Sequence, residues 1–222
     1  MLIRGRTGYR GCVLSRFRTA YGLLLAPLAR LLLKAGASPT AVTVAGTVAV
    51  VLSALLLFPG DHLVAGSVAC GLFLLADGLD GTMARLGNRE TKFGAFLDST
   101  LDRVADGAIF VGLAAWGIGR SPLVSWLAML SLVAGFIVSY ARARAEAEGW
   151  NVSVGLFERT DRLVVALAAA LIAGFGAGES ALVVGLAVVL AGSVVTTGQR
   201  IAAARRASLP PREPERPSSS LL

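Results

Sequence analysis

The sequence is poor in the residues that usually carry polar chemistry. It has one histidine, His62, and two cysteines, Cys12 and Cys70, with no neighbours at zinc-ligand spacing. The cysteines fall in an Arg-rich N-terminal segment and inside an apolar run, where they are poorly placed to pair. The histidine lies in a turn that the predicted topology puts on the face opposite the acidic residues. Histidine-based acid–base or nucleophilic catalysis is therefore not expected. Charge is also scarce: charged residues make up 16% of the chain, hydrophobic residues 55%, and mean hydropathy is +0.71. That balance is too apolar for a soluble domain, and the apolar runs are long enough to span a bilayer. There is no internal repeat. Met1–Thr19 is Arg-rich without a continuous apolar core, so no cleavable signal peptide is expected.

What is present predicts an all-α integral membrane protein with six transmembrane helices and an N-terminal interfacial amphipathic helix. Residues 1–39 form the basic segment and the amphipathic helix. Between Cys12 and Ala35, apolar Val13, Phe17, Leu24, Leu28, Leu31 and Leu32 alternate with Arg16, Arg18, Arg30 and Lys34. Residues 40–204 hold the six spans, about Thr40–Phe58, Leu63–Arg85, Phe93–Ile118, Leu123–Glu146, Glu158–Phe175 and Ala181–Ala204. Ser38 is a candidate N-cap, with Pro39 at the first helical position. Residues 205–222 form a tail whose Pro- and Ser-rich end is expected to be disordered. Of 21 lysines and arginines, only Arg120 sits in a turn after an odd-numbered span. The positive-inside rule then puts both termini in the cytoplasm of a cell membrane. The net charge of +7 and pI of 10.4 are thus a topology and lipid signal rather than a nucleic-acid footprint.

Against this apolar background, four carboxylates stand out: Asp77, Asp80, Asp98 and Asp102. An uncompensated Asp at mid-membrane costs at least ~2.5–3.5 kcal/mol on insertion scales. Asp77 and Asp80 are three apart and Asp98 and Asp102 four apart, so each pair shares one helix face. Joined by the polar turn Gly87–Lys92, the two helices can bring both pairs to one point. An all-oxygen site of this kind suits hard cations, Mg²⁺ or Mn²⁺. Acidic residues capping helices or pairing with Arg85, Arg89 and Arg103 are the simpler alternative.

The run Asp77-x-x-Asp80-Gly81-x-x-Ala84-Arg85, eight further residues, then Gly94-x-x-x-Asp98-x-x-x-Asp102 resembles the signature of the CDP-alcohol phosphotransferase family at every position. The resemblance implies a metal-dependent enzyme with two ions, which transfers the phosphate-linked part of a CDP-alcohol to a hydroxyl and releases CMP. It implies Asp77, Asp80, Asp98 and Asp102 as metal ligands, with Asp102 also the candidate general base. Gly81, Arg85 and Thr91 are implied as CDP-lipid contacts. So are Thr40, Ala41, Val42 and Thr43, although a plain helix cap explains that segment as well. A homodimer is implied by the same likeness.

The pieces Tyr140-Ala-Arg142-Ala-Arg144-Ala-Glu146-Ala, Phe157-Glu158-Arg159-x-x-Arg162-Leu163 and Gln199-Arg200 are similar to those of the actinobacterial phosphatidylinositol phosphate synthases. So is Ser38-Pro39-x-x-Val42-Thr43-x-x-Gly46-Thr47, while Arg142 stands where lysine is expected. By this likeness Arg142, Arg159 and Arg200 hold the phosphate of an inositol phosphate whose hydroxyl attacks CDP-diacylglycerol. As plain topology determinants, the same arginines would need no acceptor. Glycerol 3-phosphate, or another alcohol such as serine, is the alternative acceptor, and hydrolysis of the CDP-lipid is a further one. An intramembrane cation or proton transporter is the alternative of a different class. Against transport, the motif carboxylates sit at one side and no acidic chain continues to the other. Asp106, one turn beyond Asp102, is either a partner for an arginine or a contact to the acceptor.

Overall fold

The computed structural model describes residues 26–76, 78–87 and 91–209, with Ala76 and Asp80 described by backbone alone. Within them the chain is helical and has no strand. Residues 26–34 form α1, followed by α2 (Pro39–Leu57), α3 (Leu63–Ala76), α4 (Gly78–Leu86) and α5 (Lys92–Gly117). Then come α6 (Pro122–Ala147), α7 (Arg159–Ile172) and α8 (Glu179–Ala207). The first part of the expected amphipathic helix, Asp77 and the chain after Leu209 lie outside the described residues.

Four helices are long and apolar enough to cross a membrane: Pro39–Leu57, Pro122–Ala147, Arg159–Ala177 and Glu179–Ala207. Two of the six predicted spans fall short by this measure. The run Leu63–Leu75 is apolar but short. The 26 residues of α5 are long enough, but the first fifteen carry Lys92, Asp98, Asp102, Arg103 and Asp106.

Local signals start the helices where the sequence indicated. The Ser38 side chain accepts a hydrogen bond from the Ala41 amide at 3.1 Å, and Pro39 opens α2. Thr91 does the same for α5, accepting from the Gly94 amide at 2.9 Å. Helix α7 starts with the Asp161 carboxylate accepting from the Glu158 amide at 2.9 Å. It ends in a π-helical turn, Ala173–Ala177, in which Gly176 adopts φ of 111°.

The turns between helices lie at two ends of the bundle. One end gathers the start of α2, the α4–α5 turn, the α6–α7 loop and the end of α8. At the other end, Trp116 donates its indole N–H to Asp61 at 2.6 Å, and Arg120 lies over the Trp116 ring. Between the ends, a continuous apolar core includes Val50, Phe58, Cys70, Ile109, Leu113, Val124, Leu182 and Leu186. Helix α6 packs most extensively on α8, and α2 on α5. Ser131 on α6 adds a buried hydrogen bond to the Leu186 carbonyl on α8, at 3.2 Å. The outer surface is apolar as well, with Leu56, Trp126, Phe175 and Val184 all well exposed.

The α2–α5 crossing depends on a missing side chain. A Cβ added at Gly112 would lie 2.5 Å from the Ala54 carbonyl oxygen, which cannot move without shifting α2. At Gly46, also on the α2 side of the bundle, an added Cβ meets nothing within 4 Å. Gly112→Ala is therefore expected to lower stability by about 1–3 kcal/mol, while Gly46→Ala leaves it unchanged. Thermal unfolding of the two detergent-solubilised variants measures the difference.

Candidate active site

The starts of α2 and α5 and the latter part of α4 meet around a cavity of about 460 Å³. Thr40, Thr43, Gly81, Arg85, Thr91 and Asp98 line it, as do Ser38, Pro39, Ala84, Gly94, Ala95 and Leu97. Six of the sequence-predicted residues are thus brought together. Thr43 is buried and donates its hydroxyl to the Pro39 carbonyl at 3.1 Å. Arg85 donates to the Thr82 hydroxyl at 3.1 Å and is exposed at the cavity edge. At Gly81 an added Cβ would meet only Arg85 Nη1, at 3.6 Å, so protein packing does not require glycine there.

Ala41 and Val42 are placed differently, and neither lines this cavity. Residues 40 and 43 share a helix face, whereas 41 and 42 are turned away from it. Val42 packs with Ala29, Leu79 and Met83, joining α2 to α1 and α4.

Asp98 and Asp102 follow each other by one turn on α5. Asp102 lies deeper, in a narrow cleft with Gly46, Thr47, Val50 and Arg159. Asp80 stands beside Gly81 in the first turn of α4, and Asp77 immediately precedes that helix. Among the described residues no three metal-ligating side chains cluster, since Asp77 and the Asp80 side chain lie outside the description. The donors available fit a hard divalent cation: they are carboxylates only, on two helices flanking one cavity.

The three arginines expected around an acceptor phosphate are placed differently from one another. Arg159, at the start of α7, donates from Nη1 to Asp102 and from Nε to Asp106, both at 2.9 Å. Its guanidinium is therefore shared between two carboxylates of α5. Arg200 is buried and donates from Nε to the Val154 carbonyl at 3.0 Å and from Nη1 to the Val138 carbonyl at 2.6 Å. These bonds tie the α6–α7 loop to α6 and leave Nη2 for another partner. Arg142 is exposed and donates to Glu146 at 2.8 Å, although its charge reaches Arg200. Arg200 and Arg142 thus both make contacts within the protein.

Thr196 was not singled out from sequence, and Gln199 and Arg162 were given no role of their own. Thr196 accepts from the Phe157 amide at 2.9 Å, and Gln199 accepts from the Leu156 amide at 2.9 Å, pinning the loop to α8. Arg162 is 2% exposed, with Nη2 lying 3.9 Å from Asp106. A second cavity, of about 400 Å³, runs between α3 and α7. Val68, Leu74, Leu75, Val164, Leu167 and Leu171 line it, and Arg159 with Thr160 closes one end. Periodicity marks both helices as apolar but does not say which faces part.

A helical bundle with an apolar exterior and a carboxylate-lined cavity at one end defines the class: a membrane-associated protein whose polar chemistry is gathered at one side. Comparison with known proteins supplies the family. Residues 37–198 match the CDP-alcohol phosphatidyltransferase family, and the chain belongs to it. It is 44% identical to the phosphatidylinositol phosphate synthase of Mycobacteroides abscessus over 191 residues, covering 85% of this chain and 86% of that one. The corresponding protein of Streptomyces avermitilis is 43% identical over 199 residues, covering 86% and 82%. Two crystal structures of Mycobacterium tuberculosis phosphatidylinositol phosphate synthase resemble the fold. The first, in complex with manganese and citrate, gives a TM-score of 0.79 at 39% identity, covering 83% of this chain and 90% of that one. The second, with CDP-DAG bound, gives 0.77 at 40% identity, covering 81% and 92%.

Because lysine cannot reproduce the two-carbonyl contact of Arg200, Arg200→Lys is expected to lose about 1–3 kcal/mol of stability. Thermal unfolding together with faster limited proteolysis of the α6–α7 loop measures it. Any change in activity of an Arg200 variant has to be read against that loss.

Proposed function

We propose that the protein transfers the phosphatidyl group of CDP-diacylglycerol to a hydroxyl of inositol phosphate, releasing CMP and phosphatidylinositol phosphate. The observation that carries this reading is the continuity of three features around α5. A cavity large enough for a nucleotide reaches Asp98, and one turn further along α5 Asp102 lines a narrow cleft with Arg159. Asp102 is held by Arg159, and Arg159 closes an apolar groove. Relatives more than 40% identical bear this activity in their names.

In this reading α2, α3 with α4, α5, α6, α7 and α8 form the six spans, with α1 ending an interfacial helix. Among the described cations only Arg120 lies at the far end, which supports placing the site end at the cytoplasm of the cell membrane. Thr40, Thr43, Gly81 and Thr91 border the cytidine, and Arg85 meets the diphosphate. The lipid chains leave along the groove between α3 and α7. Asp77, Asp80, Asp98 and Asp102 would hold Mg²⁺ or Mn²⁺, as expected from the manganese in the mycobacterial structure. Two such ions stabilise charge on the attacking and leaving oxygens of an in-line phosphoryl displacement.

Asp102 takes the proton of the acceptor hydroxyl as its oxygen bonds to the β-phosphorus. The bond from that phosphorus to the bridging oxygen breaks, and the oxygen leaves with CMP. Arg159, with Arg200 and Arg142 behind it, meets the phosphate of the acceptor. Bidentate guanidinium contacts suit a dianionic phosphate, which favours a phosphorylated acceptor over serine.

Proteoliposomes containing the purified protein, CDP-diacylglycerol and Mg²⁺ test this with radiolabelled acceptors. Label from inositol phosphate is expected in lipid with equal release of CMP, and chelation of the metal is expected to stop it. Incorporation from glycerol 3-phosphate alone would overturn the inositol assignment. Asp102→Asn is expected to lower turnover by about 10²–10⁴-fold, with CDP-lipid binding retained.

A further inference from the structure

Asp106 lies outside the family signature, yet among the described residues it is the most buried carboxylate of this end, at 4% exposure. Cations face it from its own helix and from the start of α7: Arg103 on α5, and Arg159 and Arg162 on α7. Only Arg159 is at hydrogen-bond distance, with Nε 2.9 Å from Oδ1. Arg103 Nε and Arg162 Nη2 are 3.7 and 3.9 Å away, within ion-pair range but beyond a hydrogen bond. Arg162 is itself fixed by packing, since a Cβ on Gly135 of α6 would come within 3.2 Å of its Nε.

The two contacts of Arg159 differ in character. The Asp106 side chain is 6% exposed and that of Asp102 is 19% exposed, so one end of the bridge is sealed and the other opens to the site. An arriving anion can compete for the Nη1 end, where solvent and ligand reach, far more readily than for the sealed Nε end. Three guanidinium groups thus stand within ion-pair range of Asp102 and Asp106 at the head of the groove.

We propose that Asp106 is the positioning residue that anchors Arg159 through Nε, leaving Nη1 to exchange between Asp102 and the phosphate of the acceptor. The proposal rests on the reading of Arg159 as an acceptor contact. Asp106 touches neither substrate. It sets where the arginine pivots, and it keeps that guanidinium within one helical turn of the base. The competing account is purely structural: Asp106 would neutralise Arg162 and Arg103 and nothing more.

The two accounts separate in steady-state kinetics of the full-length protein in proteoliposomes, with radiolabelled inositol phosphate as acceptor. Asp106→Asn is expected to raise the acceptor KM by about tenfold or more, with the KM for CDP-diacylglycerol unchanged. Removing the anion leaves Arg162 buried beside no carboxylate and can prevent folding. The charge-balanced Asp106→Asn/Arg162→Gln protein therefore serves as the second variant and is expected to keep the raised acceptor KM. The Asp106→Asn/Arg159→Gln double variant should be no worse than Arg159→Gln alone. Recovery of a normal acceptor KM in the charge-balanced variant would overturn the proposal, as would multiplication of the two single defects. If Arg159→Gln raises the acceptor KM and Asp106→Asn does not, the anchor role fails while the acceptor reading stands. If Arg159→Gln itself leaves that KM unchanged, the acceptor reading fails first and the anchor role falls with it.

Discussion

Ionised groups inside an apolar helical bundle are tolerated only when opposite charges meet them, and here the meeting point is Arg159 between Asp102 and Asp106. The bridge fixes α7 to α5 at the end where both carry polar side chains. It also determines what the α6–α7 loop must do, because α7 can begin at Arg159 only if the loop delivers it there. Helix α8 supplies the hold: Thr196 and Gln199 take the Phe157 and Leu156 amides, and Arg200 takes the Val154 carbonyl. Separation of one charged pair from water would be expensive in isolation. Sharing one guanidinium between two carboxylates, with more cations behind, makes it stable.

The two ends of the bundle are built for different tasks. At the far end Asp61, Trp116 and Arg120 form a compact clasp between the α2–α3 and α5–α6 turns, with every charge answered locally. At the near end, charge is spread over α4, α5, α7 and α8 around two cavities. Apolar packing between the ends, tightened where Gly112 lets α5 meet α2, keeps the two arrangements independent. Rigid helices thereby carry Asp98 and Asp102, while the ligand-facing polar groups of Ser38 and Thr91 also serve as helix caps.

Much of this is legible in the sequence because it follows from periodicity and local chemistry. Apolar runs give the helices, Ser38-Pro39 gives the start of one of them, and the four-residue step gives the shared face of Asp98 and Asp102. The step of three from Thr40 to Thr43 places both at the cavity, and the same periodicity turns Ala41 and Val42 away from it. What is not legible are the partners of long side chains across the bundle. Arg159 reaches a carboxylate 53 residues away in sequence, and Arg200 reaches a carbonyl 62 residues away. No local pattern distinguishes an arginine that binds backbone from one that meets a substrate. The π-helical turn after α7 was equally invisible, since Ala173–Ala177 reads as ordinary helix until Gly176 leaves the helical region.

The groove between α3 and α7 opens on the flank of the bundle, with Val68, Leu75 and Val164 all well exposed along it. A lipid lodged there would keep its tails among its neighbours in the leaflet while its headgroup met Arg159. Supply to such a site scales with the mole fraction of that lipid in the membrane plane, and its bulk concentration is of little consequence. Diluting it with inert phospholipid should then slow loading even when the total amount per protein is held constant.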